Sequence, residues 1–355
     1  MIALALLLLE LPSWCVWEFY VSKKESPGVI AVFKVLEGDA AIKRRPLMSH
    51  PYSLYWNTPE FADEWGQQFD SYGYRSPEFD PNQHVYKILA MGGSTTVSYP
   101  FVKDRAKIWT TRLHHKIAAA GIPNHVFNAG LKNGTSAELL AHYFLRAQHL
   151  HPDLLILHVG GNDRWLLMAD NYKTDYSHAR ASLAGYTRPR PLESTLIRYS
   201  YFYRNLFAMW LRDGGLYNDH VGQEQPLRAD AAMKNLEKAK PVAFRSNLGA
   251  IIRHAQQQGT KVILVGFIEA PNDQLANKHP ALQGWEGIYK KALAMNYAAM
   301  QSLADQYNVP FLRLDENRFQ LDWFMDFCHL YPEGHAEKAR QIYHALQQND
   351  LLPSP

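Results

Sequence analysis

Five short apolar runs punctuate the last three quarters of the chain: Val85–Met91 (VYKILAM), His125–Ala129, Leu154–Val159 (LLILHV), Lys261–Phe267 (KVILVGF) and Pro310–Leu314. Each has strand length and β-type composition, and two are apolar almost throughout, as expected for strands covered on both faces. Between them lie stretches of helical period at Ala106–Ala120, Ser136–His149, Phe244–Gln258, Ile288–Tyr307 and Gly334–Gln348, with Gly259 as a C-terminal stop. Strand and helix in repeated alternation imply right-handed crossovers and a parallel sheet. The pattern predicts an α/β fold, a three-layer α/β/α sandwich around a parallel sheet of about five strands.

The flanks differ in pattern. Residues 1–24 form an apolar, anchor-like or signal-like segment: Met1–Leu9 is wholly apolar, and Glu10, Pro12 and Glu18 interrupt the apolar character of the remainder. About 20 apolar residues are needed to span a bilayer, so this is a marginal span. Nothing basic precedes it and no A-x-A comes after it, so it is not a regular secretory signal either. Membrane association through residues 1–20, or export to the cell envelope, is the expectation; a buried helix is the alternative. Residues 25–84 are rich in Pro, Tyr, Trp and Asp without a sustained period and read as an extended arm lying over the 85–350 domain. In the 165–241 region the alternation lapses into a Tyr- and Arg-rich insertion with helical pieces such as Ser200–Arg212, which could cap a site.

Composition narrows the function classes. With 47% hydrophobic and 20% charged residues in a chain of 355, a large core can form and disorder is excluded. Lys and Arg number 37 against 34 for Asp and Glu, too even a balance for a nucleic-acid-binding field. Two cysteines, Cys15 and Cys328, build neither a disulfide framework nor a zinc site, and Cys328 reads as a buried filler. No metal or cofactor is expected.

In open parallel sheets ligands bind beyond the carboxyl ends of the strands. There the sequence places Gly92-Gly93-Ser94-Thr95-Thr96, Asn128-Ala129-Gly130 and Gly160-Gly161-Asn162-Asp163, with Asp326-Phe327-Cys328-His329 after the last strand. Ser94, following two glycines at a strand-to-helix turn, is either an accessible nucleophile or a helix cap. A phosphate cradle would need a glycine spacing that is missing. Asn162 is either an amide donor to an oxyanion or a turn-former, and Asp163 is placed to fix its loop through backbone N–H groups. Asp326 and His329, three apart, can align so that the carboxylate holds Nδ1–H and Nε2 faces a serine. His114, His115, His149 and His151 lack metal spacing, and His158 reads as a core histidine.

Taken together these motifs resemble the SGNH hydrolases, the GDSL-like lipase and esterase superfamily, over about Tyr86–Ala345, in the type associated with the bacterial envelope. GGST at Ser94, GGND at Asn162 and DFCH at Asp326–His329, with YPEGH directly after, carry the resemblance, and SYGYRSPEF at Ser71–Phe79 is similar to the lead-in of envelope members. The resemblance implies a serine hydrolase with an SGNH, flavodoxin-like fold and no cofactor. Such an enzyme would cleave an ester of a small molecule, glycan or lipid, with a short acyl group, through an acyl-enzyme. Ser94 would be nucleophile and first oxyanion N–H, His329 the base, Asp326 its orienting partner and Asn162 the side-chain donor. The second block, NAGLKNGTS, departs from the family pattern: Asn133 stands where a glycine N–H usually serves the oxyanion, with Gly134 next to it. An acyltransferase using the same site, or an idle scaffold of the same fold, are the rivals.

Overall fold

The structure is a computed structural model describing residues 2–23, 27–37, 46–50, 54–169, 172–176, 178, 191–210, 228–271 and 283–354. Two apolar helices come first, α1 (Ile2–Val16) and α2 (Pro27–Glu37), joined through a π-turn at Trp17–Val21. Two small antiparallel hairpins come next, β1 (Leu47–His50) with β2 (Leu54–Asn57) and β3 (Ala62–Asp63) with β4 (Gly66–Gln67). The main domain then runs β5 (Tyr86–Gly92), α3 (Ser94–Val97), α4 (Trp109–Ala119), β6 (Asn124–Gly130), α5 (Ser136–Leu145), β7 (Leu154–Val159) and α6 (Asp163–Met168). After it come α7 (Pro191–Tyr199), α8 (Tyr201–Trp210), α9 (Ala229–Lys238), α10 (Val242–Gln257) and β8 (Lys261–Gly266). Helix α11 (Glu286–Tyr307), β9 (Phe311–Leu312) and α12 (Pro332–Gln348) complete it.

Strands β5 to β9 form one parallel sheet in the order β6-β5-β7-β8-β9. Successive residues feed opposite faces. Ile88, Ala90, Leu154, Ile156, Ile263 and Val265 pack under Trp109 and Leu113 of α4 and Ile342 of α12. Leu89, Met91, Leu155, Leu157, Val262 and Leu264 pack under α5 and α10. Full burial of each such side chain contributes about 1.5–3 kcal/mol, so strands apolar on both faces pin the three-layer sandwich. Order 6-5-7 reverses the chain direction across the sheet at β5, and that switch point is where a ligand crevice opens.

Two expectations need correction. The arm is not extended throughout, because Val29, Val32 and Val35 give α2 a buried apolar face. Ser136–His149 is not one helix: α5 ends at Leu145 and a 3₁₀ turn covers Ala147–Leu150. Of the described part of the insertion, 191–210 packs on the N-terminal helices, with Ile197 and Phe207 against Trp17, Val29 and Val32, while Ala232, Leu236 and Ala239 join the main core; the expected cap over the site falls partly on 179–190 and 211–227, outside the described residues. No helix among the described residues is long and apolar enough to cross a membrane.

Candidate active site

Ser94 opens α3 directly after β5, with Gly93 as N-cap, so the serine does not serve as the cap. The tight turn needs its glycines. A Cβ on Gly93 would lie 2.5 Å from Asn162 Nδ2, and one on Gly130 would lie 2.2 Å from Val97 N. The N–H of Ser94, the first residue of α3, has no acceptor inside the helix, whereas Thr96 N and Val97 N donate to Gly93 O.

The Asp326–His329 segment is held as a narrow loop. Phe324 and Leu330 form an antiparallel bridge across it, Met325 N donates to His329 O at 2.7 Å, and Ala270 N beyond β8 donates to Phe327 O at 2.9 Å. Inside the loop, Asp326 Oδ1 accepts from Cys328 N at 2.8 Å and from His329 N at 2.7 Å. Its other oxygen, Oδ2, meets His329 Nδ1 at 2.6 Å, and His329 Nε2 meets Ser94 Oγ at 2.9 Å. The Phe101 ring stacks on the imidazole, centroids 3.5 Å apart. Burial works to raise the Asp326 pKa, but the hydrogen bond and charge of His329 and the two N–H donors outweigh it and hold the carboxyl below its ordinary value. The carboxylate therefore stays ionised, and its only ring donor is Nδ1–H, which leaves Nε2 as the acceptor facing Ser94.

The other two loops close around the serine. Asn162 Nδ2 donates to Gly134 O at 2.8 Å, which fixes the amide beside Gly93. Asn133 adopts the left-handed conformation, φ 55°, that asparagine tolerates best after glycine. Gly134 N donates to Leu131 O at 2.9 Å, so its N–H is committed to the turn. Asp163 does fix a loop, though across a gap: its carboxylate takes Ser136 N at 3.0 Å, Ser136 Oγ at 2.5 Å and Tyr176 OH at 2.8 Å. It thereby ties the Asn162 loop to the start of α5. Burial pushes its pKa up to about 6.

Several supporting residues were given no site role by the sequence, although Arg75 lies within SYGYRSPEF and His335 within YPEGH. Arg75 is completely buried and donates to Val97 O at 3.1 Å, to Val102 O and to Lys103 O at 3.2 Å, clamping the segment after the serine turn. His335 Nδ1, from the YPEGH segment, accepts from Trp109 N at 3.2 Å and so caps α4. His158 is a core histidine as read, its Nδ1 paired with Thr96 Oγ1 at 2.7 Å. Asp326, Cys328 and His329 are the one group of three potential metal donors close together among the described residues. Their hydrogen bond at 2.6 Å leaves no room for an ion between Asp326 and His329, and burial raises the Cys328 thiol well above its ordinary pKa. Cys328 is a neutral, buried filler.

The model of the GDSL-like Lipase/Acylhydrolase family matches residues 90–337. The chain belongs to that family. As a GDSL-like acylhydrolase it is an ester-hydrolysing enzyme. Among solved structures similar to it is TesA, with 16% identity over 75% of this chain and 99% of that one and a TM-score of 0.42. A lipase/acylhydrolase from Enterococcus faecalis has 16% identity over 75% of this chain and 97% of its own, TM-score 0.43. The acetylxylan esterase Axe2 from Geobacillus stearothermophilus has 12% identity over 76% and 97%, TM-score 0.42. No curated protein matches the sequence.

Proposed function

We propose that this GDSL-like enzyme cleaves esters of short acyl groups, on a carbohydrate or lipid alcohol, through an acyl-enzyme on Ser94. The observation that carries the reading is the continuous relay Ser94 Oγ to His329 Nε2 to Asp326 Oδ2, at 2.9 and 2.6 Å. Ser94 Oγ attacks the ester carbonyl as its proton passes to His329 Nε2. The imidazolium then hands that proton to the departing alkoxide, and the carbonyl re-forms as an acyl-serine. Water, deprotonated by His329, attacks the acyl-serine and releases the acid and the free serine. The tetrahedral oxyanion is held by the Ser94 N–H, the Asn162 amide and the backbone N–H of Asn133. The neighbouring Gly134 N–H donates to Leu131 O.

A cavity of about 90 Å³ lies beside the segment after the serine turn, lined by Val97, Tyr99, Pro100 and Lys132 with Leu47 and Phe69 from the arm. The short-acyl reading takes this cavity, well below the volume of a site for a drug-sized ligand, as the acyl pocket, although Ser94 and His329 are not among its lining residues.

The test is fluorophosphonate labelling and p-nitrophenyl acetate hydrolysis by wild type, Ser94→Ala and His329→Ala. Both activities vanish in both variants if the reading holds. A folded wild type that neither labels nor turns over sinks it. Product analysis with an added sugar alcohol separates hydrolysis from acyl transfer.

A further inference from the structure

The helices at 2–37 and 191–210 form a module turned inside out relative to the usual surface helix. On α8, Phe202, Leu206 and Met209 fall at i, i+4 and i+7 and are 40%, 47% and 58% exposed, whereas Arg204 and Asn205 on the same helix are buried. On α1, Leu9 and Leu11 face outward and Glu10, between them, is turned to α8. Eleven of the fifteen large hydrophobic side chains exposed among the described residues lie on this module.

The inward polar groups are largely paired with one another, Asn205 Oδ1 being the exception. Glu10 accepts from Ser200 Oγ and from Tyr201 N and Phe202 N, the latter two at 2.6 and 3.3 Å, and so caps α8. Asn205 Nδ2 donates to Ser13 O at 2.8 Å, and Arg204 donates to Ile197 O and Arg198 O at 2.9 and 3.1 Å. Polar groups bonded inward and apolar groups turned outward are what a hydrocarbon surround demands, since there an unpaired polar group costs several kcal/mol.

We propose that this module sits in one leaflet of a lipid bilayer and holds the catalytic domain at the membrane surface. Among the described residues no helix of the module is both long and apolar enough to cross a hydrocarbon core of about 30 Å: α8 has 10 residues, and α1, 15 residues extended by the π-turn at Trp17–Val21, carries Glu10, Pro12 and Glu18. Exposed Lys23 and Arg198 stand next to the aromatic residues Phe19 and Tyr199 at the margin, where headgroups lie, with Glu18 the nearby exposed acid.

The assay is flotation of the purified full chain with phosphatidylcholine vesicles containing about a third phosphatidylglycerol, a fraction chosen to present anionic headgroups. It runs beside the emission of a nitrobenzoxadiazole probe on Cys15, which is exposed on α1 while Cys328 is buried. The expected result is co-flotation with a blue-shifted probe in wild type. The double variant Leu206→Glu/Met209→Glu should lose at least tenfold in bound fraction, about 1.4 kcal/mol, with its circular dichroism unchanged. Both substitutions are at exposed positions, so they leave the fold intact. Flotation unaltered by the double variant, absence of flotation, or a dimer in light scattering that the same variant disperses would each overturn the proposal. None of these readouts depends on catalysis, so failure here leaves the esterase reading standing, and the reverse.

Discussion

Replacing Asp326 by asparagine separates the tautomer it enforces from the charge it carries. In wild type, Oδ1 holds two backbone N–H groups at 2.7 and 2.8 Å and Oδ2 holds His329 Nδ1–H at 2.6 Å. In Asp326→Asn the amide oxygen keeps the two backbone donors, so its NH₂ must face Nδ1. The ring then accepts at Nδ1 and carries its proton on Nε2, where it points at Ser94 Oγ and no basic lone pair remains. Such a swap typically removes about four decades of kcat, which is about 5.4 kcal/mol of transition-state stabilisation. Asp326→Ala behaves differently. It strands the N–H groups of Cys328 and His329, a cost of about 1–3 kcal/mol in stability where water does not replace the lost acceptor, but leaves the imidazole free to choose its tautomer. The expected order is therefore crossed: Asp326→Asn melts closer to wild type yet is no more active than Asp326→Ala. Initial rates with p-nitrophenyl acetate, fluorophosphonate inactivation rates and thermal melts of the three proteins read both axes. An Asp326→Asn enzyme retaining a tenth or more of wild-type kcat would refute the reasoning, because it would show that Nε2 remains an acceptor without the carboxylate.

Other substitutions probe the loops around the serine. Asn162→Ala is expected to lower kcat by two to three decades, about 2.7–4 kcal/mol, with little change in KM; a loss confined to KM would remove the amide from the oxyanion site. Arg75→Met leaves the carbonyls of Val97, Val102 and Lys103 without their buried donor and should cost about 1–3 kcal/mol for each acceptor that finds no other partner, read as a lowered denaturation midpoint together with a reduced kcat. Asp163, with a folded pKa of about 6 against an ordinary 3.8, binds more protons folded than unfolded between those values. Its contribution to stability is thus greatest below pH 4 and falls by about 3 kcal/mol as the pH rises to 6. The melting temperature of wild type minus that of Asp163→Asn should decline across pH 4–6, and a flat or rising difference would reverse the assignment.

What was legible in the sequence is what local pattern encodes. LLILHV and KVILVG announce strands buried on both faces, and a parallel sheet in turn says where chemistry collects, so Ser94, Asn162, Asp326 and His329 could be placed from residue type and position. The hidden part rests on partners that leave no mark on their own residues. Arg75 binds three backbone carbonyls, and any residue has a carbonyl, so nothing at Val97 or Val102 advertises the clamp. The fate of the Gly134 N–H is decided by the turn to Leu131 O, which the letters NAGLKNGTS do not distinguish from alternatives. Glu10 is the sharpest case. Within its own segment it is a charge that spoils a membrane span; across 191 positions it is the cap that receives Tyr201 N at 2.6 Å. Once paired, the same carboxylate permits the apolar surface around it to face outward, because the helix end it neutralises no longer needs water. An interrupted span and an inward-turned cap are thus one observation, and it argues for a surface embedded in lipid without crossing it.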